Sequence, residues 1–452
     1  MSITKPVRQK FRLRTTLVVP FVLQIVAAVG LVGYLSFKNG QTAVYEVAGQ
    51  LQNEITDRIQ QNIKDYLAIP HQINQTNLNA VNMGLNLREL MNLKRYFWPE
   101  LMSYPNLDFI AFVNNKGNVI SGQRLADGTL LFNLCNESTN FNFYAWNATE
   151  KGDTTKVSRV IKNFDGRKRL WYQDAVKAGK KSWSQVEISF AEPKMHISAV
   201  QPVYAQNGQL EGVLNVTLRL DSISQFLQSL KVGKSGQTFV ITQEGVLVAT
   251  STSENLVRFN NNKGELFKAI ESSDSVTQAT ARYLIKQFDS FKQIQKLQNL
   301  NVEIAGQQRF LQVVPYQDNE GLNWLIVVIV PESDFMEQIN VNTRNTIWLT
   351  LVALGVAILI GIFTAGLITK PILSLTQASK ELAEGNLDRQ VETNDAIEIE
   401  EIETLEQSFN SMASQLKASF STLEAQKETL ADQNQELHHL DQLKDEFLAN
   451  TS

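Results

Sequence analysis

HISAVQPVYAQNGQLEGVLNVTLRL, residues 196–220, decides the fold of the large polar region of this chain. Two apolar, β-branched runs flank Asn207-Gly208. That pair marks the turn of a hairpin. A shorter hairpin pattern precedes it, DFIAFVNNKGNVISG at 108–122, turning at Asn-Lys-Gly. Both patterns recur in the same order. TFVITQEGVLVATS (238–251) repeats the shorter one with Gly245 in the place of Gly117. QVVPYQDNEGLNWLIVVIVPESDF (312–335) repeats the longer one with Pro315 in the place of Pro202. The spacing predicts two α+β modules in tandem, at about 100–225 and about 230–335, each an antiparallel sheet with flanking helices. The segment from Gln41 to about Trp98 reads as a long helix beside both, with Pro70 breaking or bending it.

Outward from these modules lie two stretches without a charged side chain, 15–37 and 346–368. Each is long enough to cross the hydrocarbon core of a bilayer as a helix. The first also has the position of a signal peptide, but its apolar run is long and no small-residue cleavage site is evident. Lys5, Arg8, Lys10, Arg12 and Arg14 precede the first span, and Lys38 is the nearest basic residue after it. Basic flanks stay in the cytoplasm. The expected topology is therefore a cytoplasmic N-terminus (1–14), an extracytoplasmic region (38–345) and a cytoplasmic C-terminal part. A multi-pass protein of a bacterial inner (plasma) membrane is the expectation.

The 452 residues carry a formal net charge of only −4, which gives no case for a nucleic-acid partner. The single cysteine, Cys135, excludes an intrachain disulfide. No Cys/His cluster has metal-ligand spacing, and neither a metal nor a cofactor is expected.

The extracytoplasmic region resembles the double Cache family of sensors, a PAS-like tandem. The resemblance rests on the long helix, the two hairpin pairs and RLWYQDA (169–175). In amino-acid-sensing members, the Arg, Trp and Tyr of that motif hold the ligand carboxylate, which implies Arg169, Trp171 and Tyr172 here. A guanidinium offers a planar fork of donors that matches a carboxylate. The plainer reading is a surface arginine beside two core aromatics. The family's acidic residue for the ligand ammonium corresponds to Thr217, which carries no charge, and Glu187 in VEISF (186–190) is a substitute for it. Lys194, His196 and Trp183 are further candidates for the lining. A small extracellular carboxylate or amino acid is the expected ligand.

Residues 369–421 resemble a HAMP linker: Pro371, then Ile372, Leu375 and Leu382, a connector with Gly385 and Leu387, and the signature Phe409-Asn410-Ser411-Met412. Glu403 stands where the family usually has glycine. Ile402, Leu405, Phe409, Met412 and Leu416 follow a 3-4 spacing, a heptad seam that continues through Leu423, Leu430 and Leu437 in a linker at 422–442. Leu437, Leu440, Leu443 and Phe447 break that spacing in the sense that overwinds a coil. The resemblance implies a homodimer with four HAMP helices in one parallel bundle.

The last ten residues, LKDEFLANTS (443–452), resemble the start of the dimerisation and phosphoacceptor helix of histidine kinases. His438 and His439 lack that motif and read as solvated coil residues. The leading expectation is thus the sensor half of a two-component histidine kinase, a transmembrane protein that reaches its response regulator only through a kinase module. The sequence as given stops before the phosphoacceptor and the ATP site and is expected to be inactive alone. A chemoreceptor, or a non-catalytic receptor that pairs with intact kinases, is the alternative. A sensor for a cyclic-nucleotide enzyme is a third.

Overall fold

The computed structural model describes residues 13–87, 89–260, 263–391 and 399–450. Lys5, Arg8, Lys10 and Arg12 of the basic flank and Thr451-Ser452 of the terminal motif lie outside the described residues. The chain forms two compact units, Gly40–Asn340 and the flanking segments Met1–Asn39 with Val341–Ser452.

Helix α1 (Leu13–Asn82) enters the first of these units. Ile55, Ile59, Ile63 and Leu67 are buried at four-residue intervals, one stripe of a helix. Pro70 does not end α1. It removes one backbone donor, but Leu67 and Ile73 are buried on either side of it and hold the helix in place. The helix ends where Gly84 takes φ +104 and Leu85 N–H bonds back to the Ala80 carbonyl. The expected single helix to Trp98 is thus two, the second being α2 (Leu90–Ser103).

The first sheet is antiparallel and nine-stranded. Its strands are β1 (Leu107–Asn114), β2 (Val119–Arg124), β3 (Leu130–Cys135), β4 (Phe143–Ala148), β5 (Thr154–Ile161), β6 (Ser182–Trp183), β7 (Glu187–Ile188), β8 (Met195–Tyr204) and β9 (Leu210–Arg219). They run in the order β5-β4-β3-β2-β1-β9-β8-β6, with β7 also on β8. Both faces are covered. Ile110, Phe112, Leu214, Val216 and Ile197 share a core with α1 and α2, while Ala111, Val113, Val200 and Val213 pack with α3 (Leu170–Ala178).

Helix α4 (Asp221–Ser229) leads to the second sheet. This contains β10 (Gln237–Thr242) and β11 (Leu247–Thr250), then, after a separate pair β12 (Val257–Asn260) and β13 (Lys263–Leu266), β14 (Gln298–Ile304), β15 (Gln307–Gln317) and β16 (Asn323–Pro331). The order is β11-β10-β16-β15-β14. The four strands β2-β1-β9-β8 and the four strands β11-β10-β16-β15 therefore have one topology, the one expected from the repeated hairpins. Asp274 caps α5 (Ser275–Phe288) by accepting from Thr277 N–H at 2.7 Å, and α5 covers one face of this sheet. The opposite face, with Val240, Ile326 and Val328, joins the α1 core of the first module. Trp183 Nε1–H donates to Asp318 at 2.6 Å and Lys181 pairs with Glu320 at 2.7 Å, so the modules are also tied at their rims.

In the other unit, α1 and α6 (Ser333–Ala383) each contain a stretch long and apolar enough to cross a membrane. Gly385, at φ +99, terminates α6. Leu375, Ala378 and Leu382 of α6 then pack with Val391 and with Phe409 of α7 (Glu400–Asn450). Asn410 fastens the connector from both sides: it accepts from Val391 N–H at 3.0 Å and donates to the Val391 carbonyl at 2.9 Å. The predicted seam is divided. Phe409 turns to its own chain, whereas Leu405 and Met412 are 53% and 57% exposed.

Candidate functional site

The face of the first sheet that carries α3 ends in a small recess. Gln123, Phe109, Thr217 and Ser198 lie in one cross-strand row over β2, β1, β9 and β8 and so share a face. Above them, Arg169 occupies the N-cap position of α3 and Trp171 its first turn. The turn before α3 is held down at Gly166, where a Cβ would come within 2.8 Å of both Val113 and Val119. Only glycine lets the backbone approach there, and that approach seats Arg169 at the rim. Asp108, Glu187, Ser189, Phe190 and His196 complete the lining.

The recess carries charges of both signs. His196 is buried between two carboxylates, with Nδ1 3.3 Å from Asp108 Oδ2 and Nε2 3.4 Å from Glu187 Oε1. Burial opposes its charge, but Asp108 and Glu187 outweigh burial and raise the imidazole to about 9. Gln123 also donates to Asp108, at 3.4 Å. Glu187 Oε1 is buried, and the His196 imidazole is its ionic partner. Arg169 has no carboxylate partner among the described residues. Its guanidinium lies 4.8 Å from the Phe190 ring centroid, a stacking contact that leaves the donors along its edge unused. Two carboxylates, one imidazolium and one guanidinium offer a zwitterion an anion-binding and a cation-binding end.

Arg169, Trp171 and Thr217 thus come together at one recess. Tyr172 does not line it: its ring is buried beside Trp171 and Ala175 in the core over the sheet. Thr217 is engaged with Ser198 at 2.8 Å and Asn215 at 3.3 Å. Of the further candidates, His196 and Glu187 line the recess. Lys194 instead pairs with Asp221 at 3.6 Å, and Trp183 lies at the joint between the modules. Sequence reading missed Asp108, Gln123, Ser198 and Phe190. Asp108 sits at a register shift between Leu107 and Phe109, where β1 slips against β9. A bulge of this kind re-aims a side chain, so alternation along β1 does not reveal it.

The raised imidazole makes stability depend on pH. Because the folded value lies above the ordinary 6.5, its contribution is full below 6.5 and is lost as pH rises through about 9. His196→Gln removes that contribution. The stability difference between native protein and variant is expected to shrink by on the order of 3 kcal/mol across this window. Urea unfolding at a series of pH values checks it, and a difference that stays flat would refute the charged His196.

The Cache domain family profile matches residues 40–339 and the HAMP domain profile residues 363–418. Among curated proteins the chain is similar to methyl-accepting chemotaxis protein McpB of Bacillus subtilis (strain 168), 26% identical over 259 residues, 56% of this chain and 33% of McpB. It is also similar to methyl-accepting chemotaxis protein PctB of Pseudomonas aeruginosa, 21% identical over 234 residues, 51% of this chain and 33% of PctB. The matched region spans about a third of the length of these relatives. Among solved structures, the sensory domain of the Campylobacter jejuni chemoreceptor Tlp3 is 14% identical with a TM-score of 0.43, covering 66% of this chain and 100% of that one. The ligand-binding domain of the Pseudomonas aeruginosa chemoreceptor PctC, in complex with GABA, is 16% identical with a TM-score of 0.39, covering 62% of this chain and 98% of that one. These relatives are chemotaxis receptors, and the expected histidine-kinase assignment gains no support from them. With 300 of its 452 residues under one profile, the chain belongs to the Cache domain family, and it joins that domain to a HAMP domain and to two helices suited to a membrane.

Proposed function

We propose that the chain is the sensing and relay part of a bacterial chemoreceptor, and that its first Cache module binds a small amino acid. One observation carries this reading. A guanidinium without a carboxylate partner among the described residues faces the same recess as two carboxylates, Asp108 and Glu187, that share a single imidazole between them. Arg169 takes the ligand carboxylate with two parallel bonds. Asp108 and Glu187 take the ammonium, the half of the site that Thr217 alone leaves without charge. Trp171 walls the pocket, and Tyr172 supports Trp171 from within the core.

The signal leaves through α6. Residues 15–37 and 346–368 span the bilayer with both termini inside, as the basic residues before the first span favour. The HAMP helices of two copies pack as one bundle, for which the exposed Leu405, Met412 and Leu416 supply the apolar surface. Such a bundle holds two packings close in energy, and movement of the second span shifts their balance. The curated relatives favour a chemoreceptor output. A histidine-kinase output is the second reading, favoured by LKDEFLANTS at 443–452.

Thermal unfolding of the full chain in detergent tests the ligand class. The panel is the common amino acids with their deaminated and decarboxylated counterparts. Amino acids are expected to raise the melting temperature, and counterparts lacking either charge are not. Equal stabilisation by the deaminated acids would remove the ammonium half of the proposal. No response to any amino acid would remove the whole.

A further inference from the structure

We propose that Phe190 sets the size class of the ligand, as the moving side chain of a lid formed by residues 189–194. This inference rests on the amino-acid reading above. The recess has a free volume of about 20 Å³. That is room for about one water molecule and for no amino acid. One wall therefore has to give way on binding. The floor is strand, tied by the ladders between β2, β1, β9 and β8. The wall on the Arg169 side is set by α3, whose Trp171, Tyr172 and Ala175 are buried. Apart from Arg169, which is fixed at the N-cap of α3, Ser189 and Phe190 are the lining residues on neither strand nor helix. They belong to the link between β7, which ends at Ile188, and β8, which starts at Met195.

This link is held by a few side-chain latches. Arg159, on the edge strand β5, donates to the carbonyls of Phe190 at 3.3 Å and Ala191 at 3.2 Å. Both oxygens of Glu192 receive Ala126 N–H at 2.9 Å. Within the link, Ser189 N–H donates to the Lys194 carbonyl at 2.8 Å. Latches of this kind release without disturbing the sheet beneath.

The Phe190 ring is half-buried against the guanidinium face of Arg169, and the centroid of Phe143 is 6.0 Å away. A ligand carboxylate takes the edge of that guanidinium, so the ring and the ligand's α-substituent compete for the space beside it. With Phe190 present, the lid closes over glycine or alanine and stays ajar over bulky amino acids.

The test uses the full chain in nanodiscs and calorimetric affinities for glycine and L-phenylalanine. In the native protein glycine binds more tightly. Phe190→Ala is expected to lower the ratio of the two dissociation constants by about tenfold or more, the scale at which a pocket senses a few methylenes. Phe190→Leu, which keeps an apolar side chain, gives an intermediate ratio and guards against a folding defect. Arg159→Gln loosens the latch and raises the association rate for glycine, because less of the binding then waits on a conformational change. A ratio unchanged in both Phe190 variants overturns the lid. If glycine binding persists and still depends on Arg169, the ligand reading survives that failure. Absence of binding by either amino acid, in native protein and variants alike, overturns both.

Discussion

Arg169→Ala abolishes the rise in melting temperature that a bound amino acid gives the full chain. The guanidinium is half-buried at the rim of the recess, and its edge faces a space in which no described carboxylate meets it. A ligand carboxylate there would be shielded from water on the sheet side. Truncating one partner of a desolvated charge pair costs about 3 kcal/mol, which corresponds to a loss of affinity of about a hundredfold. Arg169→Lys recovers part of the loss, because an ammonium cannot make two parallel bonds to one carboxylate. Calorimetry with a responding amino acid reads both variants. Native affinity in Arg169→Ala would remove the residue from the site and leave it as a surface arginine over two core aromatics.

Met412→Glu combined with Leu416→Glu converts a dimer in detergent micelles into a monomer. The two side chains are 57% and 39% exposed in a single chain, although both fall on the heptad seam. Phe409, on the same seam, is already buried against α6 of its own chain. Pairing with a second copy would bury about 2 kcal/mol of apolar surface per side chain. The substitutions forfeit this and place like charges across the seam. Analytical ultracentrifugation decides the matter. A native monomer, or a variant that stays dimeric, would rule out this seam as the contact.

Much of the architecture was legible because its signals are local. Alternation of period two and a turn glycine or asparagine mark a hairpin wherever it lies, so the repeated patterns at 108–122 and 238–251 disclosed the shared strand order. Arg169, Trp171 and Thr217 were legible only through a resemblance, yet the fold does bring them to one recess. Tyr172 was not separable from Trp171 by sequence, since adjacent residues of a helix point about 100° apart. Helix ends were legible only in part. Pro70 is a weak stop where the flanking turns are buried, and Gly84 is a strong one because it supplies a positive φ. The choice of kinase over chemoreceptor leaned on ten terminal residues and on where the sequence stops. A chain end has no physical bearing on what a receptor drives, and the relatives point to the alternative.

Asp108 was hidden for a different reason. By alternation it belongs with Ile110 and Phe112, whose side chains face α1. The slip between Leu107 and Phe109 in the pairing with β9 turns it to the opposite face, beside His196. The cue lies in a strand about a hundred residues away, so no window along β1 contains it.

That bulge also makes the charge of the recess depend on chain length at the start of β1. Removing one residue beside Asp108 restores regular pairing and sends its carboxylate to the α1 face, leaving every other residue of the pocket unaltered. A single-codon deletion at the start of β1 therefore removes one carboxylate from the recess without any substitution in it. Relatives aligned only by substitutions would look conserved across a change of that kind.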